Sequence, residues 1–227
     1  MGLIVIEGLD GAGKSTQISR VGEYLTAEGR SCYQMHFPRT DGSHFGELIA
    51  SFLRGELGQI HQVNPYLVAL LYASDRLEFK PMLENLLSDN DIVLFDRYVY
   101  SNIAYQCAKI ADATQRRKLQ DWILQTEFEV NRLPKPDLNI FLDVPFQFTR
   151  QKLAEKREDG QRLYLKGKED IHETDLAFQD QVREMYLSLV DEEKFIKIDC
   201  SNGQGILSVD QIFNKITNVL NNLNLKK

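Results

Sequence analysis

Cysteine is scarce in this chain: Cys32, Cys107 and Cys200 are the only three in 227 residues. An odd number, widely spaced, argues against a disulfide framework and for a reducing compartment, with buried structural thiols rather than a nucleophile. Histidine is scarce too, and His36, His44, His61 and His172 show no paired ligand spacing, so no histidine metal motif is expected. No apolar run approaches the roughly 18–20 residues that a membrane span requires. The first apolar run, Leu3-Ile4-Val5-Ile6, is too short for a signal peptide and meets Glu7 at once, so the cytoplasm is the expected location. An excess of positive charge is also missing. With 27 Lys and Arg against 33 Asp and Glu, the net charge of −6 argues against general affinity for nucleic acid polymers. Nor does any repeat, low-complexity block or Pro/Gly/Ser linker divide the chain, and its length suits a single domain over 1–227.

What is present is a core and a phosphate motif. Hydrophobic residues make up 43% and charged residues 26%, the composition of a globular protein. Gly8-Leu9-Asp10-Gly11-Ala12-Gly13-Lys14-Ser15-Thr16 follows the apolar run, and residues 17–25 continue with apolar side chains at helical spacing. Strand, glycine turn and helix are the context in which a G-x-x-x-x-G-K-[ST] match reads as a phosphate loop. Its glycines let backbone N–H groups converge on phosphate oxygens, and the helix N-terminus adds positive potential. Lys14 is expected to reach the β- and γ-phosphates, and the Ser15 hydroxyl to hold Mg²⁺. Gly8, Asp10, Gly11, Ala12, Gly13, Lys14, Ser15 and Thr16 together predict a nucleoside triphosphate site. The bland alternative is an ordinary glycine-rich turn.

The rest alternates short apolar strands with helical patterns. Further strands are expected over 32–37, 91–96, 137–143 and 195–199. Helices are expected over 43–54, 64–88, 99–110, 114–131 and 145–155, with a last one capped by Ser208. This pattern predicts an α/β fold: a five-stranded parallel sheet with helices on both faces and ligands bound beyond the carboxyl ends of the strands. Asp10, Arg39, Asp96 and Asp143 fall at or just after such ends and are expected to face one cleft. Segment 150–168 departs from the pattern, with seven basic and three acidic residues in an acidic protein. It reads either as a solvated helix end with a charged loop or as a basic lid over phosphates.

A second substrate is marked by Asp96-Arg97-Tyr98-Val99-Tyr100-Ser101-Asn102-Ile103-Ala104-Tyr105. An Asp-Arg pair ending a buried strand puts a carboxylate and a guanidinium in the cleft, and Asn102 and Tyr105 share a face of the next helix. Taken singly, the pair reads as structural and Tyr105 as core. Taken with Phe37-Pro38-Arg39, Leu71-Tyr72-Ala73-Ser74-Asp75-Arg76, Leu133-Pro134-Lys135-Pro136-Asp137 and Asp170-Ile171-His172-Glu173, the chain resembles the thymidylate kinases over nearly its whole length. These are phosphate-loop (P-loop NTPase) enzymes that convert dTMP to dTDP.

The resemblance implies transfer of the γ-phosphate of ATP to dTMP with Mg²⁺, on the route to dTTP, in a homodimer built on helices. It implies that Arg39 and Arg97 grip the dTMP phosphate; the alternatives are a solvated arginine at 39 and an ion pair at 97. Arg76 would contact the thymine O4 and Tyr72 would stack on the ring, beside Phe37, although this i, i+4 pair also fits plain helix packing. The family usually has Phe where Tyr72 stands. Asn102 would face the pyrimidine edge, and Tyr105 would close the 2′ side of the sugar. Asp10 would approach the 3′-hydroxyl and the transferring phosphate. Ser15, Asp96 and Glu173 would serve the metal, Glu173 being as readily a solvated helix-start carboxylate. Because Gly11 stands where some members carry a loop arginine, Arg157 and Arg162 of the lid would supply it. Other nucleoside or monophosphate kinases, and a nucleotide-gated switch, remain the rival readings.

Overall fold

The computed structural model describes residues 2–40, 42–154, 160–191, 195–203 and 205–222. Strands β1 (Gly2–Glu7), β2 (Cys32–His36), β3 (Ile92–Asp96), β4 (Leu138–Asp143) and β5 (Ile196–Asp199) form one parallel sheet in the order β2-β3-β1-β4-β5. β1 lies at the centre, pairing Ile4 with Leu94 on one side and with Leu138 on the other. β1 and β3 are buried at every residue and β4 at all but Asn139, because helices cover both faces.

Alternate residues of β1 feed two cores. On one face Ile4 and Ile6 pack with Ile18, Val21 and Leu25 of α1 (Lys14–Ala27), joined by Ile212 and Ile216 of the C-terminal helix Val209–Asn222. On the other face Leu3 and Val5 meet a larger cluster. It includes Phe79 and Leu83 of the long helix Pro65–Asp89, Ile103 of helix Val99–Cys107, Leu119 of helix Ala113–Leu124, and Val182 and Tyr186 of helix Leu176–Asp191. In chain order the helices are α1, α2 (His44–Leu53), α3 (Pro65–Asp89), α4 (Val99–Cys107), α5 (Ala113–Leu124), α6 (Phe146–Ala154), α7 (Ile171–Thr174), α8 (Leu176–Asp191) and α9 (Val209–Asn222). Ser208 caps α9 as expected, accepting from the Gln211 N–H at 3.2 Å.

Two features differ from the sequence expectation. The helix expected over 114–131 is α only to Leu124 and continues as a π-helical turn, Gln125–Val130. α8 was not anticipated, yet it contributes Gln179 and Tyr186 to the site. The three cysteines are free thiols, and among the described residues no helix is long and apolar enough to cross a membrane.

Candidate active site

The loop between β1 and α1 turns through left-handed backbone at Gly11 (φ 80°) and Gly13 (φ 78°), conformations open to glycine and strained for other residues. Gly13 is the N-cap of α1, so no side chain occupies the space before the helix's first N–H groups. Lys14 folds back and donates from Nζ to the Leu9 carbonyl at 3.0 Å. Burial and the nearby Arg97 lower its pKa, against the pull of Asp96, Asp10 and Glu7. Ser15 Oγ donates to Asp96 Oδ2 at 3.2 Å, and the other oxygen of Asp96 is buried without a hydrogen-bond partner. Burial alone would push the Asp96 carboxyl up, but Lys14, His36 and Arg97 outweigh it and hold it well below the usual range.

Arg97 carries the other strained backbone of the site, with φ 67° immediately after β3. Its support is Glu7, which is fully buried at the end of β1. Glu7 accepts from the Tyr98 N–H (3.0 Å), the Ser101 N–H (3.2 Å), the Tyr186 hydroxyl (2.8 Å) and the Ser101 hydroxyl. The turn thus sends the Arg97 guanidinium back over the phosphate loop. One Nη donates to Asp10 Oδ1 at 2.7 Å and to the Tyr105 hydroxyl at 3.1 Å, while Tyr105 donates to Asp10 Oδ2 at 2.7 Å. Gln179 of α8 donates to the same Asp10 oxygen at 3.3 Å. Arg97, Lys14 and Tyr105 outweigh burial and keep Asp10 ionised far below the usual carboxylate range.

Beyond this triad opens a cleft of about 710 Å³, with the open solvent at its mouth included. Asp10, Phe37, Tyr72, Arg76, Arg97, Asn102 and Tyr105 all line it, so most of the residues expected to meet a second substrate converge. At its floor Arg76 is held by the buried Glu127, with Nε 3.0 and 3.1 Å from the two carboxylate oxygens and Nη2 against one of them. Asn102 donates from Nδ2 to the Ala69 carbonyl (3.0 Å) and to Glu127 (3.2 Å). One side is formed by Tyr164, Asp170 and His172. Burial, Asp10 and Glu173 push the Asp170 carboxyl up to about 7, and burial together with Lys109 drives the His172 pKa well below its usual value.

Other expected residues lie elsewhere. Arg39 is not in the cleft wall; its Nε donates to Asp75 Oδ1 at 3.0 Å, its Nη2 to the Asp75 carbonyl at 2.9 Å, and Glu78 stands 3.4 Å away. Asp143 does not face the cleft as expected: it accepts from Arg183 Nε at 2.9 Å, because α8 brings that arginine across the end of β4. Glu173 sits in α7 beside Asp170 rather than with Ser15 and Asp96, and among the described residues no three His, Cys, Asp or Glu side chains form a metal cluster. Arg157 lies outside the described residues, as does the side chain of Arg162 within the 3₁₀ segment Gly160–Leu165. Sequence reasoning missed Glu7, Asp75, Glu127, Gln179 and Tyr186. Only Glu7 carried a signal, a lone carboxylate closing a fully apolar strand.

Comparison with known proteins agrees with this geometry. A family model described as thymidylate kinase matches residues 6–211. The thymidylate kinase of Mycobacterium tuberculosis is 34% identical over 188 residues, 82% of this chain and 85% of that one. A probable thymidylate kinase of Thermococcus onnurineus is 34% identical over 230 residues, 99% of each chain. A solved thymidylate kinase structure from Candida albicans superposes with a TM-score of 0.72 at 25% identity, covering 99% of this chain and 93% of that one. With its phosphate loop, its Asp-Arg turn and a match over nine-tenths of its length, the chain belongs to the thymidylate kinase family.

Proposed function

We propose that the chain transfers the γ-phosphoryl group of ATP to dTMP, giving dTDP and ADP. The observation that carries this reading is the Arg97–Asp10–Tyr105 triad, which joins the phosphate loop to a cleft floored by Arg76 and Asn102. A donor phosphate at the loop and an acceptor phosphate at Arg97 then share one boundary.

The acceptor oxygen belongs to a phosphate that is already ionised, so no general base is needed. What the protein supplies is alignment of two mutually repelling anions and positive charge where the transferring group develops negative charge. Lys14 serves the donor phosphates and Arg97 the acceptor phosphate, a task that suits the forked guanidinium, and Arg39 joins it by turning its guanidinium from Asp75. Arg157 and Arg162 of the lid, 150–168, close over the transferring group. Asp10 meets the 3′-hydroxyl while orienting Arg97, and the Tyr105 ring fills the 2′ side of the sugar. Tyr72 and Phe37 contact the thymine ring, and Arg76 and Asn102 its polar edge.

Mg²⁺ fits the donor set at the loop. The Ser15 hydroxyl and the Asp96 carboxylate are 3.2 Å apart, and Asp96 has a buried oxygen with no other partner. Hard oxygen ligands of this kind are what the ion takes, and when bound it neutralises charge on the donor phosphates. Glu173, beside Asp170, supports the acceptor side. The chain works as a single domain, 1–227, and as a homodimer through α3, where Leu67, Leu70, Leu77 and Met82 are exposed. Free thiols suit a cytoplasmic location.

The test is an ADP-release assay over dTMP, dUMP, dCMP and thymidine. dTMP should be preferred, and dUMP impaired but not excluded, because a missing methyl in an apolar pocket is worth about 1–3 kcal/mol. Equal turnover of dCMP and dTMP would end this reading.

A further inference from the structure

We infer that Arg54, the residue that closes α2, is a positioning residue for dTMP: it holds Tyr164, and through it Asp170, in the cleft wall. The inference rests on the reading that dTMP occupies this cleft.

The Arg54 side chain is only 2% exposed, and a buried guanidinium must be given acceptors. Its Nε and Nη2 lie 3.0 and 2.9 Å from the two oxygens of Glu56. Nη2 also reaches the Ser51 hydroxyl at 2.8 Å and Glu47 at 3.3 Å. All of these partners belong to α2 or the turn after it. Nη1 does something different: it donates at 2.7 Å to the backbone carbonyl of Tyr164, 110 positions later. A bond from a charged donor to a backbone group is one of the stronger kinds.

The same stretch of chain has two weaker ties to α2. Lys166 stands 3.1 Å from Glu47, and Lys168 stands 2.9 Å from Glu56. Two of the seven basic residues in 150–168 are thus spent on α2 and not on the cleft. Both lysines are more than half exposed, and exposed pairs contribute little. The buried arginine is the firm attachment.

Tyr164 carries that attachment into the site. Its ring packs with Phe52 and Leu53, an apolar contact that leaves it able to slide along the helix. The bond from Arg54 to its carbonyl fixes the register. The Tyr164 hydroxyl then donates to Asp170 Oδ2 at 3.1 Å, while Asp170 Oδ1 accepts from the His172 N–H at 2.8 Å. Tyr164, Asp170 and His172 line the same cleft as Asp10 and Tyr105. Without the guanidinium, Tyr164 keeps only its ring contact, and its hydroxyl can draw away from Asp170. Arg54 does not itself line the cleft, so it acts on dTMP through Tyr164.

The experiment compares the parent with Arg54→Met, Arg54→Lys, Tyr164→Phe and the Arg54→Met, Tyr164→Phe double variant. It reads hydrogen exchange over 163–170, kcat, and KM for dTMP and for ATP. Arg54→Met should fold, because Glu47 and Glu56 reach solvent and each keeps a lysine. Its KM for dTMP should rise about three- to tenfold, the scale of one hydrogen bond, and exchange over 163–170 should quicken by a similar factor. kcat and the KM for ATP should stay within about twofold of the parent. Arg54→Lys should fall between, since one ammonium cannot serve both Glu56 and the Tyr164 carbonyl. Tyr164→Phe should raise the KM for dTMP as well, and the double variant should be little worse than either single one, because both break one connection. If Arg54→Met does not fold, Arg54→Lys decides. A KM for dTMP unmoved by Arg54→Met, unchanged exchange over 163–170, or additive effects in the double variant each overturn the inference alone. So does a parallel rise of both KM values with loss of kcat, which shows general support of the fold. No use of dTMP by the parent overturns the reading beneath it.

Discussion

Replacing Glu7 separates the two jobs of one buried carboxylate, support of the fold and support of Arg97. In Glu7→Ala the Tyr98 and Ser101 N–H groups lose their only acceptor at 3.0 and 3.2 Å. The Ser101 and Tyr186 hydroxyls, 2.8 Å apart, can pair with each other, so two orphaned backbone donors remain. At about 1–3 kcal/mol each, the loss is about 2–6 kcal/mol, a large part of an ordinary domain's stability. The same two bonds hold Arg97 at φ 67°, a conformation that costs about 1–3 kcal/mol and relaxes once they are gone. The guanidinium would then leave Asp10 and Tyr105, and kcat would fall in the protein that remains folded. Glu7→Gln keeps one oxygen for both N–H groups, and its amino group can donate to either hydroxyl. Its cost should be about 1 kcal/mol, with most of the turnover retained. Urea unfolding and kcat on the folded fraction measure the two effects. Equal stability of the alanine and glutamine variants, or an undiminished kcat in the alanine variant, would refute the argument.

Asp170 has its carboxyl pushed up to about 7 in the folded chain, so the folded state binds the proton more tightly than the unfolded state does. Stability should therefore fall as pH rises between about 4 and 7, by up to about 1.4 kcal/mol per pH unit, and Asp170→Asn should flatten that slope in thermal unfolding. In the lid, Arg157→Ala and Arg162→Ala should lower kcat more than they raise KM, and the double variant more still. Arginines aimed at a transferring phosphoryl group are worth about 10³–10⁵ in rate, and a double variant close to the parent would show the lid to be only a cover. Gly11→Arg should recover part of that loss only if the loop tolerates a side chain on its left-handed backbone at φ 80°, which costs about 1–2 kcal/mol. Sedimentation of the parent as a monomer at micromolar concentration would refute the α3 dimer, which Leu70→Glu with Leu77→Glu should split.

The sheet was legible because β1 and β3 are buried on both faces and read as apolar runs, and β4 is interrupted only by Asn139 before its closing Asp143. The phosphate loop was legible because its glycine spacing is local. Arg97, Asn102 and Tyr105 were found because one strand end and one helix carry them all. Glu127 and Asp75 were not, since each acts on a residue 36 to 51 positions away and looks locally like an ordinary charged side chain, and Glu7, marked only by closing an apolar strand, acts on Ser101 94 positions away. Asp143 misled for the same reason: its strand end suggested the cleft, and a partner 40 residues later claimed it. The π turn was hidden because Glu127 follows Leu119 and Ile123 of α5 at an i, i+4 spacing that also fits an α-helix.

The central claim is tested most directly by following ATP, with Mg²⁺, in the presence and absence of dTMP. Fast ADP formation only when dTMP is present, with one dTDP for each ADP and its loss in Lys14→Ala, is the expected result. ATP hydrolysis at the same rate without an acceptor, and no dTDP, would contradict it.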